Sequence, residues 1–296
     1  MQKMETKRIK VLLIGANSYI GRNFINYCTS DLNPTDEVEA VVEVQAISGK
    51  SGEWKNASFA GYDCVMLLSG IVHNKAKPQL YYDVNYNMAV EIAQKSKESG
   101  VKQFILFSTI GVYGAGVWFK KDSILAPITD YAKSKRMAEE AINQLQSEEF
   151  VVAIVRPPMV YGKDCPGNFG RLVKLIRKVH MFPIYQNGRS AIYILNLCEF
   201  LRCLIIKECA GYYVPQNSEY LCTSNIAEVM KQKGIPVLLL RGCSGMIRLA
   251  SKCSGQISKI FGDYKFSLKD SCYEGIDYQK FSTLESIKES IESFHM

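Results

Sequence analysis

The sequence is short of what metal, nucleic-acid and membrane-spanning proteins need. His73, His180 and His295 stand alone and no C-x-x-C pair occurs, so no metal centre is expected. No block of like charges marks a nucleic-acid tail, and the net charge of +7 is modest for 296 residues. The longest apolar runs fall well short of a membrane span, which argues against membrane insertion. No signal-peptide pattern opens the chain, and the ten cysteines are scattered through apolar stretches. Reduced thiols in a cytoplasmic protein are the expectation. No repeat of about 20 to 50 residues is evident.

What is present is a chain able to bury a sizeable core, with 47% hydrophobic and 22% charged residues. Its organising stretch is Val11-Leu12-Leu13-Ile14-Gly15-Ala16-Asn17-Ser18-Tyr19-Ile20-Gly21. Four apolar residues ending at a glycine suit a strand buried on both faces of a parallel sheet. From Tyr19 the period becomes helical, with Ile20, Phe24 and Cys28 on one face. Strand, tight turn and helix in this order form a phosphate cradle, because a helix N-terminus offers free N–H groups and positive dipole. A plain structural turn would share the pattern, so the later residues must decide.

Val38 to Ile47 holds the second strand, whose end governs cofactor choice. If the strand is Val44 to Ile47, it ends in Ser48-Gly49-Lys50, which leaves room for the 2′-phosphate of NADP. If it lies earlier, Glu39 or Glu43 becomes the ribose ligand and NAD the cofactor. Cys64 to Leu68 is the next buried strand, ending in Ser69-Gly70. Tyr81 to Ser99 reads as a helix with Val84, Met88, Ile92 and Ala93 on one face. Within it, Asn85 is placed either near the cofactor or in simple structural hydrogen bonding. Gln103 to Phe107 delivers Ser108-Thr109 at its carboxyl end, where ligands bind in an open α/β sheet. Those hydroxyls either serve a ligand or cap backbone groups.

Of the 17 tyrosines only Tyr131 has a lysine four residues on, and Tyr131 and Lys135 share one face of the helix over 130–146. The stripe of that helix is Ala138, Ala141, Ile142 and Leu145. Phe150 to Val155 is a strand running into Arg156-Pro157-Pro158. Beyond Gly162 comes a basic helix carrying Leu172, Leu175, Ile176 and Val179, the expected start of a smaller domain. Leu195 to Ile206 is apolar enough to pack back on the sheet. The alternation predicts an α/β fold of Rossmann type: a doubly wound parallel sheet over 1–162 with a return segment near 190–210, and a substrate domain over 163–296. Ser282 and Glu285 form a capping box for a last helix, with Leu284, Ile287, Ile291 and Phe294 on one side. Residues 235–270 give no clear pattern.

Together, Gly15-x-x-Ser18-x-x-Gly21, Phe107-Ser108-Thr109-x-x-Val112-Tyr113-Gly114, Tyr131-x-x-x-Lys135 and Arg156-Pro157-Pro158-x-Val160-Tyr161-Gly162 resemble the extended short-chain dehydrogenase/reductase family, over roughly the first 200 residues. More narrowly, the chain is similar to its NAD-dependent epimerase/dehydratase branch, which acts on nucleotide sugars. Ser18 departs from the commoner glycine. The resemblance implies Tyr131, Lys135 and Thr109 as catalytic. It implies cofactor contacts at Gly15, Ser18, Tyr19, Ile20, Gly21, Ser48, Lys50, Ser69, Gly70, Ser108 and Pro158, besides Tyr131 and Lys135. Asn168 and Arg189, with Thr109, are the implied substrate contacts, Arg189 pairing with the pyrophosphate of a UDP-linked sugar. A homodimer through the helices at 81–99 and 130–146 is also implied. The chemistry fits these residues: hydride transfer at a sugar carbon needs a proton exchanged at its oxygen, and Lys135 is expected to lower the pKa of Tyr131 for that task.

The leading expectation is an NADP-dependent reductase, NAD being possible. Its target is the 4-keto group of a UDP-linked 6-deoxy-hexosamine in bacterial surface-polysaccharide precursor synthesis. The alternative is a UDP-hexose or UDP-N-acetylhexosamine 4-epimerase with tightly bound NAD, and one of another class is a non-catalytic dinucleotide-binding sensor. Family dehydratases carry an Asp-Glu pair after the active-site threonine. Here Ile110-Gly111 follows, so no dehydratase activity is expected.

Overall fold

A computed structural model describes residues 7–30, 40–72, 77–292 and 294. Glu39, His73 and His295 lie outside the described residues. The first half runs β1 (Lys7–Ile14), α1 (Tyr19–Thr29), β2 (Ala40–Ile47), β3 (Cys64–Leu67), α2 (Pro78–Tyr82), α3 (Met88–Glu98), β4 (Gln103–Phe107), β5 (Trp118–Phe119), α4 (Asp130–Asn143) and β6 (Val151–Val155). The second runs β7 (Met159–Tyr161), α5 (Asn168–Val179), β8 (Met181–Pro183), β9 (Ala191–Tyr193), α6 (Ile194–Ile206), β10 (Gly211–Tyr213), α7 (Thr223–Gln232), β11 (Leu238–Leu240), α8 (Ser244–Cys253), α9 (Gly255–Phe261), β12 (Lys265–Phe266) and α10 (Thr283–Glu292).

Six parallel strands in the order β10-β6-β4-β3-β1-β2 form the central sheet. Alternation along β1 explains its continuous apolar run. Val11 and Leu13 face the layer built by Phe24 of α1 and Leu197, Phe200 and Leu201 of α6. Leu12 and Ile14 face Ile92 and Ala93 of α3 and Ala138 and Ile142 of α4. Both faces are therefore covered by helices, as an all-parallel sheet requires. The chain leaves β1 toward β2 on one side and returns through β3 on the other, so strand order reverses between β1 and β3. That reversal opens a crevice at the strands' carboxyl ends.

Several elements differ from the sequence expectations. The predicted helix at 81–99 is interrupted by a π turn over Asp83–Asn87. On α5, Leu172 and Ile176 are buried, but Leu175 and Val179 are exposed. On α10 the capping box forms, Ser282 N donating to Glu285 Oε2 and Glu285 N to Ser282 Oγ, yet Leu284 stands in solvent while Ile287 and Ile291 are buried. Six of the ten cysteines are buried, and Cys253 and Cys272 are exposed.

Candidate active site

The site begins at the crevice. Gly15 has φ +125°, a conformation that favours glycine, and a Cβ there would stand 2.9 Å from the amide nitrogen of Ser69. A Cβ on Gly21 would approach Gly15 O to 2.5 Å, so the two glycines let α1 press against the turn. Ser18 caps α1, its Oγ accepting from Gly21 N at 2.9 Å. The first-turn amides of Tyr19 and Ile20 remain directed out of the helix end, as helix geometry requires. Tyr19 uses its side chain elsewhere, donating to Lys163 O at 2.9 Å.

β2 ends at Ile47, which puts Ser48-Gly49-Lys50 at its carboxyl terminus. Glu43 is removed as a ribose ligand, because it lies mid-strand and is paired with Arg8. Instead the carboxylate of Glu53, from a 3₁₀ turn, accepts from Ser48 N at 3.4 Å. Lys50 is exposed. Gly49 packs on Ser69, where a Cβ would meet Ser69 Oγ at 2.0 Å.

From the strands on the other side of the crevice come the reactive groups. Lys135 of α4 is buried and donates from Nζ to Phe107 O at 2.7 Å, which fixes the ammonium at the end of β4. A Cβ on Gly70 would fall 3.1 Å from that Nζ and 2.9 Å from Asn85 Oδ1. Asn85 is fully buried. Its Oδ1 accepts from Ile71 N at 2.8 Å, and its Nδ2 donates to Ile71 O at 3.1 Å and Ser134 Oγ at 3.2 Å. Asn85 thus ties the backbone after β3, next to Gly70 at the crevice, to α4. Two residues past β4, Thr109 has two partners: its Oγ1 accepts from Gly111 N at 3.1 Å, and its hydroxyl is hydrogen-bonded to Tyr131. Ser108 caps nothing. Its Oγ is buried with no partner among the described residues, a polar atom left for a ligand.

The electrostatics correct one expectation. Burial pushes the Tyr131 phenol up to about 12, the Thr109 hydrogen bond opposing it, so Tyr131 is held as the proton-bearing acid. Burial also pushes Lys135 down, to about 8, with Glu139 one turn along the helix opposing that shift. The sequence reading missed the support beneath. Glu139 is buried and accepts both prongs of Arg156, Nε to Oε1 at 2.9 Å and Nη2 to Oε2 at 2.7 Å. Arg156 Nη1 also donates to Tyr113 Oη at 3.1 Å. One guanidinium thereby joins the Arg-Pro-Pro, Val-Tyr-Gly and Tyr-Lys segments. Pro157 O accepts from Ile110 N at 3.1 Å, and Pro158 is buried between β6 and β7.

One residue past Pro158, Met159 lines a cavity of about 190 Å³ with Asn168, Arg171, Leu172, Arg189, Thr223 and Lys259 among its walls. Asn168 stands at the start of α5. Arg189 is half-buried, with Nη1 donating to Gly262 O at 2.8 Å and burial lowering its pKa, against Tyr264 and Asp263. Its backbone bridges Leu221 and Tyr264, and nearby Asn187 accepts from Thr223 N and Oγ1, each at 3.0 Å. Arg171, Thr223 and Lys259 were not anticipated; the acid-free run around Arg171 was the available signal.

The structure thus gathers Gly15, Ser18, Tyr19, Ile20, Gly21, Ser69 and Gly70 around the crevice, with Ser48 and Lys50 at the neighbouring strand end. Ser108, Thr109, Tyr131 and Lys135 flank it, and Asn168 and Arg189 share the adjoining cavity. The close-packed glycines, the open helix end and the orphan Ser108 hydroxyl fit a dinucleotide.

Comparison with known proteins agrees. The model of the NAD dependent epimerase/dehydratase family matches residues 11–207. A 4-epimerase of Escherichia coli O157:H7, named for N-acetyl-α-D-glucosaminyl-diphospho-ditrans,octacis-undecaprenol, is 29% identical over 269 residues, covering 85% of this chain and 81% of its own. The UDP-glucose 4-epimerase of Vibrio cholerae is 30% identical over 213 residues, 64% of this chain and 65% of its own. Among solved structures, the Helicobacter pylori ADP-L-glycero-D-manno-heptose-6-epimerase superposes with a TM-score of 0.74 at 13% identity, over 98% of this chain and 97% of that one. Bacillus cereus UDP-glucuronic acid 4-epimerase in complex with NAD gives 0.71 at 16% identity, over 97% and 98%. The crevice, the Tyr131–Lys135 pair beside it and the family match over residues 11–207 together make this chain an enzyme of the NAD dependent epimerase/dehydratase family.

Proposed function

We propose that the enzyme acts at C4 of a sugar carried on a diphosphate, with a nicotinamide dinucleotide in the crevice between β1 and β3. The convergence of Thr109, Tyr131 and Lys135 beside Gly70 carries this reading. When bound, the nicotinamide supplies the carbon that takes or gives the hydride. Tyr131, held protonated by burial, gives its proton to the sugar oxygen on reduction and recovers one on oxidation. Thr109 orients the phenol through their shared hydrogen bond. Lys135, as ammonium, favours the phenolate when it forms. Arg171, Arg189 and Lys259 in the cavity wall suit a diphosphate, and Leu172, Leu221 and Ile226 give it an apolar floor.

The C4-epimerase reading is favoured by the Escherichia coli and Vibrio cholerae relatives, whose names both describe 4-epimerases, one on an undecaprenyl diphosphate sugar and one on a UDP sugar. The second reading, NADP-dependent reduction of the 4-keto group of a UDP-linked 6-deoxy-hexosamine for surface polysaccharide, is favoured by Ser48 and the exposed Lys50 at the end of β2, which suit a 2′-phosphate. Purified protein separates them. Interconversion of UDP-hexoses or UDP-N-acetylhexosamines without added cofactor supports the epimerase, and NADPH consumption that depends on a UDP-4-keto sugar supports the reductase. We infer a cytoplasmic enzyme, since nucleotide sugars and nicotinamide dinucleotides are cytoplasmic metabolites. We also infer a homodimer through α3 and α4, the latter with Met137 exposed.

A further inference from the structure

The chain's excess of positive charge is unevenly placed. Residues 165–198 contain five Lys or Arg and residues 229–262 contain six, with no Asp or Glu in either stretch, so the rest of the chain has 25 basic against 29 acidic residues. These two stretches fold together. Met181 of β8 pairs in register with Leu238 of β11, and Phe182 packs on Phe261 at the end of α9 with ring centroids 5.3 Å apart. α5 runs directly into β8, and α8 follows β11 within a few residues. Lys174, Lys178, Arg241 and Arg248 are exposed, and among the described residues none of them forms an ion pair.

Large apolar side chains stand among these cations. Leu175, Val179 and Met181 are 44–46% exposed, Leu238 is 59%, and Leu249 and Met246 are 67% and 69%. Leu175 and Val179 lie one turn apart on α5, and Met246 and Leu249 one turn apart on α8, where Ile247 points inward and is buried. Leu175 is also part of the cavity wall with Arg171 and Lys259, so the exposed face borders the mouth of the proposed substrate cavity.

Aliphatic side chains interleaved with unpaired cations match the headgroup region of an anionic membrane, which offers apolar depth and negative surface potential together. A second copy of the chain is a poor occupant, since a two-fold contact would set this acid-free face against itself. We propose that α5, β8, β11 and α8 form a docking face for an anionic bilayer, turning the cavity mouth toward the headgroups so that the sugar diphosphate it takes is lipid-anchored. The identity of the substrate rests on the reading of the site given above; the docking does not.

The test sediments the full chain with vesicles of phosphatidylcholine alone and vesicles containing about one-third phosphatidylglycerol. Expected is at least tenfold tighter binding to the anionic vesicles, weakening with salt. The double variant Met246→Ser/Leu249→Ser should bind about tenfold or more weakly, and Lys174→Gln/Lys178→Gln about fivefold more weakly per charge. Equal or absent binding to the two vesicle types overturns the proposal, as do variants that bind like the parent. A dimer in light scattering that Met246→Ser/Leu249→Ser converts to monomer overturns it too, since the face then joins copies of the chain. Turnover of a soluble UDP-sugar and of a polyprenyl diphosphate sugar carried in the vesicles is read in parallel. Turnover without variant-sensitive binding sinks the docking and leaves the site reading standing, whereas variant-sensitive binding without turnover upholds the docking and sinks the site reading.

Discussion

Tyr131 is kept in its proton-bearing form by its surroundings rather than by its own chemistry. Burial raises its pKa to about 12, Thr109 holds its hydroxyl, and the ammonium of Lys135 is fixed one helical turn away on Phe107 O. Replacing Tyr131 by Phe should leave the fold intact and lower kcat by about 10²–10⁴-fold, the range for a lost acid/base group; circular dichroism beside the turnover assay checks both halves. The Lys135 ammonium carries a second prediction. With its pKa at about 8 it is charged below that pH and neutral above it. Turnover should therefore fall as pH rises through about 8, and Lys135→Arg, which stays cationic, should remove that limb even if its rate is lower. Stability runs the other way. Between about 8 and the ordinary 10.5 the unfolded chain holds the proton that the folded chain has lost, so this group's contribution to stability increases across that window. A urea midpoint lower at pH 10 than at pH 8 in the parent relative to Lys135→Met would contradict this. The Tyr-Lys spacing was legible in the sequence because helix geometry puts i and i+4 on one face. The direction of the tyrosine's shift was not, since burial outweighs a nearby cation and spacing says nothing of burial.

At the scale of elements, the crevice depends on glycines where backbones nearly touch. Gly70→Ala would drive a methyl to within 2.9 Å of Asn85 Oδ1 and 3.1 Å of Lys135 Nζ. It should weaken nicotinamide binding, measured by fluorescence titration, more than it lowers the melting temperature; unchanged affinity would mean the crevice is not the dinucleotide site. The buried Glu139–Arg156 pair holds α4 to the end of β6. Glu139→Gln should cost about 3–5 kcal/mol, because it strands a buried guanidinium, and denaturant unfolding measures that. The short apolar runs of β3, β4 and β6 were readable within a residue, since a strand buried on both faces has no other composition, whereas β1 begins at Lys7, four residues before its apolar run, because its first residues are mostly polar and exposed. The π turn at Asp83–Asn87 was not readable, because it has no local signature; Asn85 within it reaches both Ile71 and Ser134. Glu53 at the end of β2 and Arg156 on Glu139 were equally hidden, being contacts across the chain. Residues 235–270 resisted reading because β11, α8 and α9 are short and leave much of their apolar surface exposed.

For the whole molecule, topology explains why motifs far apart in sequence meet. Strand order reverses between β1 and β3, and every one of the six parallel strands ends on the same side, so Gly15, Ser69, Ser108 and Pro158 arrive at one edge. The inferred homodimer through α3 and α4 should appear as twice the chain's 33.3 kDa in light scattering, and only monomer would contradict it. The absence of the dehydratase Asp-Glu pair at Ile110-Gly111 also acts at this scale. No 4-keto-6-deoxy product should accumulate from a UDP-hexose. The most direct measurement offers UDP-hexoses, UDP-N-acetylhexosamines, UDP-4-keto sugars and a polyprenyl diphosphate N-acetylhexosamine to the purified protein, with and without added NAD, NADH or NADPH, and follows both absorbance at the reduced-nicotinamide band and sugar products. A change at C4 that requires a nicotinamide, bound or added, and is lost in Tyr131→Phe is the predicted result. Nicotinamide-saturated protein that alters no sugar, or alters one equally well with Tyr131→Phe, would contradict the account.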